Sequence, residues 1–161
     1  MSNGSRTERR TALVFGGSRG IGAAAASRLA ADGFAVALTY VSRPDKAAEV
    51  VSAIEAAGGT ALSIRADSAD PTAIRAATAQ TAEALGQIDV VVVNAGIIRI
   101  ATVDAFTLED LDLMLAVNVR GVFLAIQAAA SHMRDGGRII TIGSNTAVRT
   151  GTPGASVYAM T

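Results

Sequence analysis

The sequence predicts an α/β fold: a doubly wound parallel sheet with strand order 3-2-1-4-5. Three observations lead there. Strand-like and helix-like segments alternate from residue 11 onward, the pattern of a parallel sheet with helices on both faces. A glycine-rich turn, Gly16-Gly17-Ser18-Arg19-Gly20-Ile21-Gly22, joins an apolar strand to an alanine-rich helix. The run Ile88 to Val93 reads as a central strand covered on both sides. Right-handed crossovers then leave a ligand crevice between the first and fourth strands.

The elements follow in order. Ala12 to Phe15 is the first strand, and Gly20 to Ala31 a helix that stops before Asp32-Gly33. Phe34 to Tyr40 is the second strand. Pro44-Asp45 opens a helix to Ala57, and Gly58-Gly59 ends it, glycine being the residue that turns a helix terminus most freely. Thr60 to Arg65 is the third strand. Asp70 as N-cap and Pro71 as first helical residue open a helix to Leu85. Thr107 caps a long helical region to about Met133, which Asp135-Gly136-Gly137 terminates, and Arg138 to Ile142 is the fifth strand. A loop containing Thr150-Gly151-Thr152-Pro153-Gly154 leads to the start of a further helix at Ala155. Residues 1–10, with the basic run Arg6 to Arg10, read as a flexible tail; residues 11–161 read as one dinucleotide-binding domain.

Composition narrows the function. The chain has 161 residues, half of them hydrophobic, enough for one domain with a sizeable core. Basic and acidic residues balance at 14 each, so no global field gathers nucleic acid or an acidic membrane. The absence of cysteine excludes disulfides, thiolate metal sites and a cysteine nucleophile. His132 is the single histidine, which makes a zinc site or a Ser-His-Asp triad hard to build. No apolar run approaching the roughly 18 residues of a membrane span stands out, and no signal segment precedes the first strand. The expectation is a cytoplasmic protein without metal, membrane or nucleic-acid partner.

The glycine turn carries the chemistry. Strand, tight loop and helix N-terminus together make an anion site, because unpaired backbone N–H groups and the positive helix end face whatever fills the loop. The spacing Gly16-x-x-x-Gly20-x-Gly22 lets the backbone turn, approach a pyrophosphate closely and pack its helix on the strand. Further short motifs fall after the carboxyl ends of later strands: Asp67-Ser68-Ala69-Asp70, Asn94-Ala95-Gly96 and Ile142-Gly143-Ser144. Asn118-Val119-Arg120-Gly121 lies within the long helical region, and Tyr158-Ala159-Met160 near the C-terminus.

In this order the motifs resemble the short-chain dehydrogenase/reductase family, and they run from Thr11 to the last residue. The resemblance implies a Rossmann-type fold and a nicotinamide dinucleotide cofactor. Gly16, Ser18, Arg19, Gly20, Ile21 and Gly22 would bind it first. Beyond them would follow Tyr40, Ser42, Arg43, Asp67, Ser68, Asn94, Ala95 and Gly96. At the second-strand end, where an acidic side chain would hold a ribose 2′-hydroxyl and repel a 2′-phosphate, stands Tyr40 followed by Val41-Ser42-Arg43. Arg19, Ser42 and Arg43 can instead converge on a phosphate, which points to NADP. Asp67 would meet the adenine, its alternative being a turn-capping role.

Two departures from the family pattern stand out. Phe15 replaces the usual Thr before the first glycine, and Val93 stands where a second Asn is common. Each removes a hydrogen-bonding side chain.

For catalysis the resemblance implies Tyr158 as acid/base and also a cofactor contact, Ser144 hydrogen-bonding the carbonyl, and Asn118 bending its helix and supporting a proton relay. The substrate would be a small-molecule ketone or secondary alcohol. The family's lysine, four residues after the tyrosine, would fall at position 162, whereas the sequence ends at Thr161. That ammonium favours the phenolate; an unassisted phenol, with a reference pKa of about 10, is poorly matched to neutral pH. The expectation is therefore a fragment lacking the last strands, inactive alone and a homo-oligomer at full length. The alternative is a regulatory module that binds NADP(H) without turnover.

Overall fold

The computed structural model describes residues 9–149 and 151–161; residues 1–8 of the expected tail and Thr150 of the expected loop lie outside them. Five parallel strands stand in the order β3-β2-β1-β4-β5. They are β1 (Thr11–Phe15), β2 (Ala35–Tyr40), β3 (Thr60–Arg65), β4 (Ile88–Val93) and β5 (Met133–Thr141). Between them run α1 (Gly20–Ala31), α2 (Pro44–Ala56), α3 (Pro71–Leu85), and a long helix made of α4 (Leu108–Leu115), a π-helical turn (Ala116–Gly121) and α5 (Val122–Ala130). A short helix α6 (Ser156–Ala159) comes last.

Side-chain alternation on β1 builds two cores. Ala12 and Val14 join Val36, Leu38, Ala47 and Ile54 under α1 and α2. Leu13 and Phe15 join Ile64, Ile74, Val91, Val93 and Ala125 under α3 and α5. The period of two sends neighbours to opposite faces, and each fully buried Leu or Phe contributes about 1.5–3 kcal/mol. The polar caps sit as the sequence suggests. Asp70 Oδ1 accepts from Thr72 N at 2.8 Å, and Thr107 Oγ1 accepts from Asp110 N at 3.1 Å.

Three expectations need correcting. Arg9 and Arg10 are not free tail. Arg9 donates to Thr60 Oγ1, the Arg10 guanidinium lies 4.1 Å from the centre of the Phe34 ring, and Arg10 O accepts from Ala35 N. Next, the long helix ends at Ala130, and β5 begins at Met133 rather than Arg138. Met133 pairs with Ile88 and Arg138 with Val90, so residues 134–137 bulge out of the ladder, helped by Gly136 at φ +81° and by the Arg134–Asp89 ion pair at 3.1 Å. Asp89 also accepts from Thr11 N at 2.7 Å, which fixes the register shift between β1 and β4. Finally, Leu108–Ala130 is a 23-residue helix with mean hydropathy 1.7, long and apolar enough to cross a membrane. Its charges, Glu109, Asp110, Asp112 and Arg120, break the apolar run in the sequence. Met114, Val117, Gly121, Ala125 and Ala129 form its buried stripe.

Candidate functional site

At the carboxyl ends of the strands lies a cleft of about 430 Å³. Its lining comes from the turn after β1, the end of β2 with Val41 to Arg43, the turns after β3 and β4, and Val117 of the π-helical turn. Of the expected cofactor-binding residues, all but Gly22 and Tyr158 line this single cleft.

Close packing explains Gly16 and Gly22. Gly16 has φ +75°, and a Cβ there would lie 2.9 Å from Ala95 Cα. At Gly22 a Cβ would meet Gly16 O at 2.2 Å and Asn94 Nδ2 at 2.5 Å. Gly22 is therefore buried beneath the turn rather than exposed to the cleft, and its part is to let α1 approach β1. No side chain caps the start of α1, so its first N–H groups and positive end face the opening. A diphosphate fits such a cradle.

Thr39 is the residue the sequence reading missed. Its Oγ1 accepts from Gly16 N at 2.9 Å, and its carbonyl accepts from Gly17 N at 2.9 Å. The hydroxyl absent at Phe15 is thus supplied from the neighbouring strand. A buried threonine at the C-terminal end of an otherwise apolar strand was the available signal. Asn94 ties the turn from the other side, its Nδ2 donating to Gly16 O at 2.9 Å.

At the turn after β3 the cleft is lined by the polar residues Asp67 and Ser68. Asp67 Oδ1 accepts from Ala69 N at 2.8 Å, so the carboxylate shapes its own turn while facing the cleft. Ser68 is buried because Gly121 lets the long helix close on it: a Cβ at Gly121 would lie 2.3 Å from Ser68 O. Arg120 adds a bond to Ala69 O at 3.2 Å. Arg19 is exposed. Arg43 forms a two-point ion pair with Asp45, Nε to Oδ1 at 3.0 Å and Nη2 to Oδ2 at 2.7 Å. That hydrogen-bonded guanidinium holds the Asp45 carboxyl at about 2, below its usual 3.8, and the carboxylate raises the Arg43 pKa in return.

Asn118 sits in the π-helical turn and clamps Ile97 at both ends. Oδ1 accepts from Ile97 N at 2.9 Å, and Nδ2 donates to Ile97 O at 2.9 Å. The same Nδ2 donates to Thr161 Oγ1 at 3.0 Å, and Thr161 Oγ1 donates to Tyr158 O at 3.1 Å. Asn118 thus links the turn after β4 to α6. Among the described residues Ser144 and Tyr158 do not line the cleft. Ser144 Oγ donates to Thr146 Oγ1 at 3.0 Å and accepts from Thr146 N at 3.2 Å, and no hydrogen bond joins it to Tyr158. The described residues hold no cluster of three or more His, Asp or Glu suited to a metal.

Fold and cleft together define an α/β protein of the nucleotide-binding class. The family model for short chain dehydrogenase matches residues 10–161, and the chain belongs to that family. It is 41% identical over 158 residues to versicolorin reductase 1 of Aspergillus parasiticus, covering 98% of this chain and 60% of that protein. A short chain dehydrogenase from Burkholderia cenocepacia, solved in complex with NADP, superimposes with TM-score 0.91 at 54% identity over 94% of this chain and 62% of its own. A blue fluorescent protein from a metagenomic library, solved with NADPH, gives TM-score 0.90 at 49% identity, with the same coverage. The chain thus spans about 60% of the length of the relatives it matches.

Proposed function

We propose that this chain supplies the cofactor half of an NADP(H)-dependent oxidoreductase that interconverts a small-molecule ketone and a secondary alcohol. The observation that carries the reading is that Arg19, Ser42 and Arg43 all line the same cleft, with no carboxylate at the end of β2. Two cations and a hydroxyl suit the 2′-phosphate, the uncapped start of α1 suits the diphosphate, and Asp67 and Ser68 suit the adenosine. The Burkholderia and metagenomic structures, solved with NADP and NADPH, support the same choice.

The bound dihydronicotinamide would supply a hydride to the carbonyl carbon. Tyr158, which must reach the cleft it does not line here, would deliver its phenolic proton to the carbonyl oxygen as negative charge develops there. Ser144 donates a hydrogen bond to the same oxygen, for which its hydroxyl must leave Thr146. Asn118 holds Ile97 and α6 in register and supports the proton relay. The exposed residues Leu115, Val119 and Phe123, spaced four apart, support pairing of two copies along the long helix. The reading places the enzyme in the cytoplasm.

The engagement of Ser144 with Thr146 favours one alternative, a module that binds NADP(H) without turnover. Calorimetric titration tests the common core: NADPH should bind at least tenfold more tightly than NADH, and Arg19→Ala with Arg43→Ala should erase the difference. Equal affinities in the wild-type chain would refute the NADP assignment. Ketone-dependent oxidation of NADPH by a chain extended to the relatives' length separates enzyme from sensor.

A further inference from the structure

Arg43 lines the cleft, but Asp45 does not. Only Pro44 separates them; its ring fixes the local backbone and starts α2, so the carboxylate stands in the first helical turn. There it meets the guanidinium through a parallel two-point contact. Arginine offers its Nε–Nη2 edge to carboxylate and phosphate alike, in the same fork geometry. Among the described residues Asp45 already occupies that edge of Arg43, whereas Arg19 makes no ion pair.

Resting on the cofactor assignment above, we propose that Asp45 is a specificity-determining residue that tempers NADP(H) selection by holding Arg43 in an internal ion pair against which the 2′-phosphate competes. A phosphate that takes the Nε–Nη2 edge displaces Asp45. One that approaches the remaining Nη1 side shares a guanidinium whose charge is already half answered. Both routes subtract from the phosphate's gain. Asp45 stays ionised through the working pH range, its carboxyl being held at about 2, and the start of α2 favours an anion there. Both partners are more than half exposed, at 55% and 54%. Water and salt therefore screen the pair and keep its influence modest.

The test titrates the chain with adenosine 2′,5′-bisphosphate and with 5′-AMP, in wild type, Asp45→Asn, Arg43→Ala and the double variant. Asp45→Ser, which keeps a short polar side chain at the helix start, is run beside Asp45→Asn and should behave alike. Releasing an exposed ion pair should tighten the bisphosphate about two- to fivefold. Binding of 5′-AMP should not change, which also shows that the fold is intact. In the Arg43→Ala background the gain should vanish, since there is nothing left to release.

Unchanged or weaker bisphosphate binding in Asp45→Asn overturns the proposal, because Asp45 would then be inert or a productive support for Arg43. A gain that persists in full without Arg43 also overturns it, pointing to plain repulsion. Failure of the wild-type chain to distinguish the bisphosphate from 5′-AMP refutes instead the underlying NADP assignment.

Discussion

Replacing Gly22 by alanine probes the packing that opens the glycine turn. The new Cβ would lie 2.2 Å from Gly16 O, 2.5 Å from Asn94 Nδ2 and 3.0 Å from Gly16 C. Two of these contacts are backbone, so a side-chain rotation cannot relieve them, and α1 has to move away from β1. Overpacking of this kind costs about 1–3 kcal/mol. Loss of the Asn94–Gly16 hydrogen bond adds about 1 kcal/mol, for a total of roughly 2–4 kcal/mol. Gly20→Ala is the matched control. Gly20 has φ +54° but nothing within 4 Å of an added Cβ, so only left-handed strain applies, about 1–2 kcal/mol. Urea denaturation reads the stability of both variants, and NADPH titration reads the cradle. Gly22→Ala should be the less stable and should bind NADPH at least tenfold more weakly. Gly22→Ala with wild-type stability and affinity would refute the wedge argument and the geometry of the turn with it.

Three further predictions follow from the same contacts. Thr39→Val strips the acceptor from Gly16 N; an unsatisfied N–H there costs about 1–3 kcal/mol, visible as a lower urea midpoint with an unchanged slope. Asn118→Ala opens both bonds to Ile97, so the Ile97 amide should exchange with deuterium at least tenfold faster while the amides of β1 keep their protection; equal exchange at Ile97 contradicts the clamp. Asp45 should titrate near pH 2 by carbon-detected NMR and return toward 3.8 in Arg43→Ala. Because the folded carboxyl lies below its ordinary range, whatever stability the pair contributes is complete above about pH 4 and is lost as pH falls through 2.

Much of the fold is legible because local signals and tertiary packing agree. Continuous apolar strands, Asp70 before Pro71 and Thr107 before an acidic first turn each specify their element without help from distant residues. The start of β5 was hidden. Met133 to Gly137 follows a helix and carries two glycines, and its pairing depends on Asp89, which is remote in sequence. The π-helical turn was readable only as an awkward asparagine in mid-helix; the bonds from Asn118 to Ile97 turn that awkwardness into a joint.

At the site, the glycine turn and the short motifs after β3 and β4 announced themselves by composition. Thr39 did not, because a threonine in a strand normally signals only β propensity. The Arg43–Asp45 pair was equally silent, since two exposed charges two residues apart read as solvated loop until their geometry is known.

The most direct measurement is a crystal structure of the chain with NADP bound. The diphosphate should lie against the backbone N–H groups at the start of α1, with the 2′-phosphate between Arg19 and Arg43. A dinucleotide seated elsewhere, or one whose diphosphate leaves those amides facing water, would contradict it.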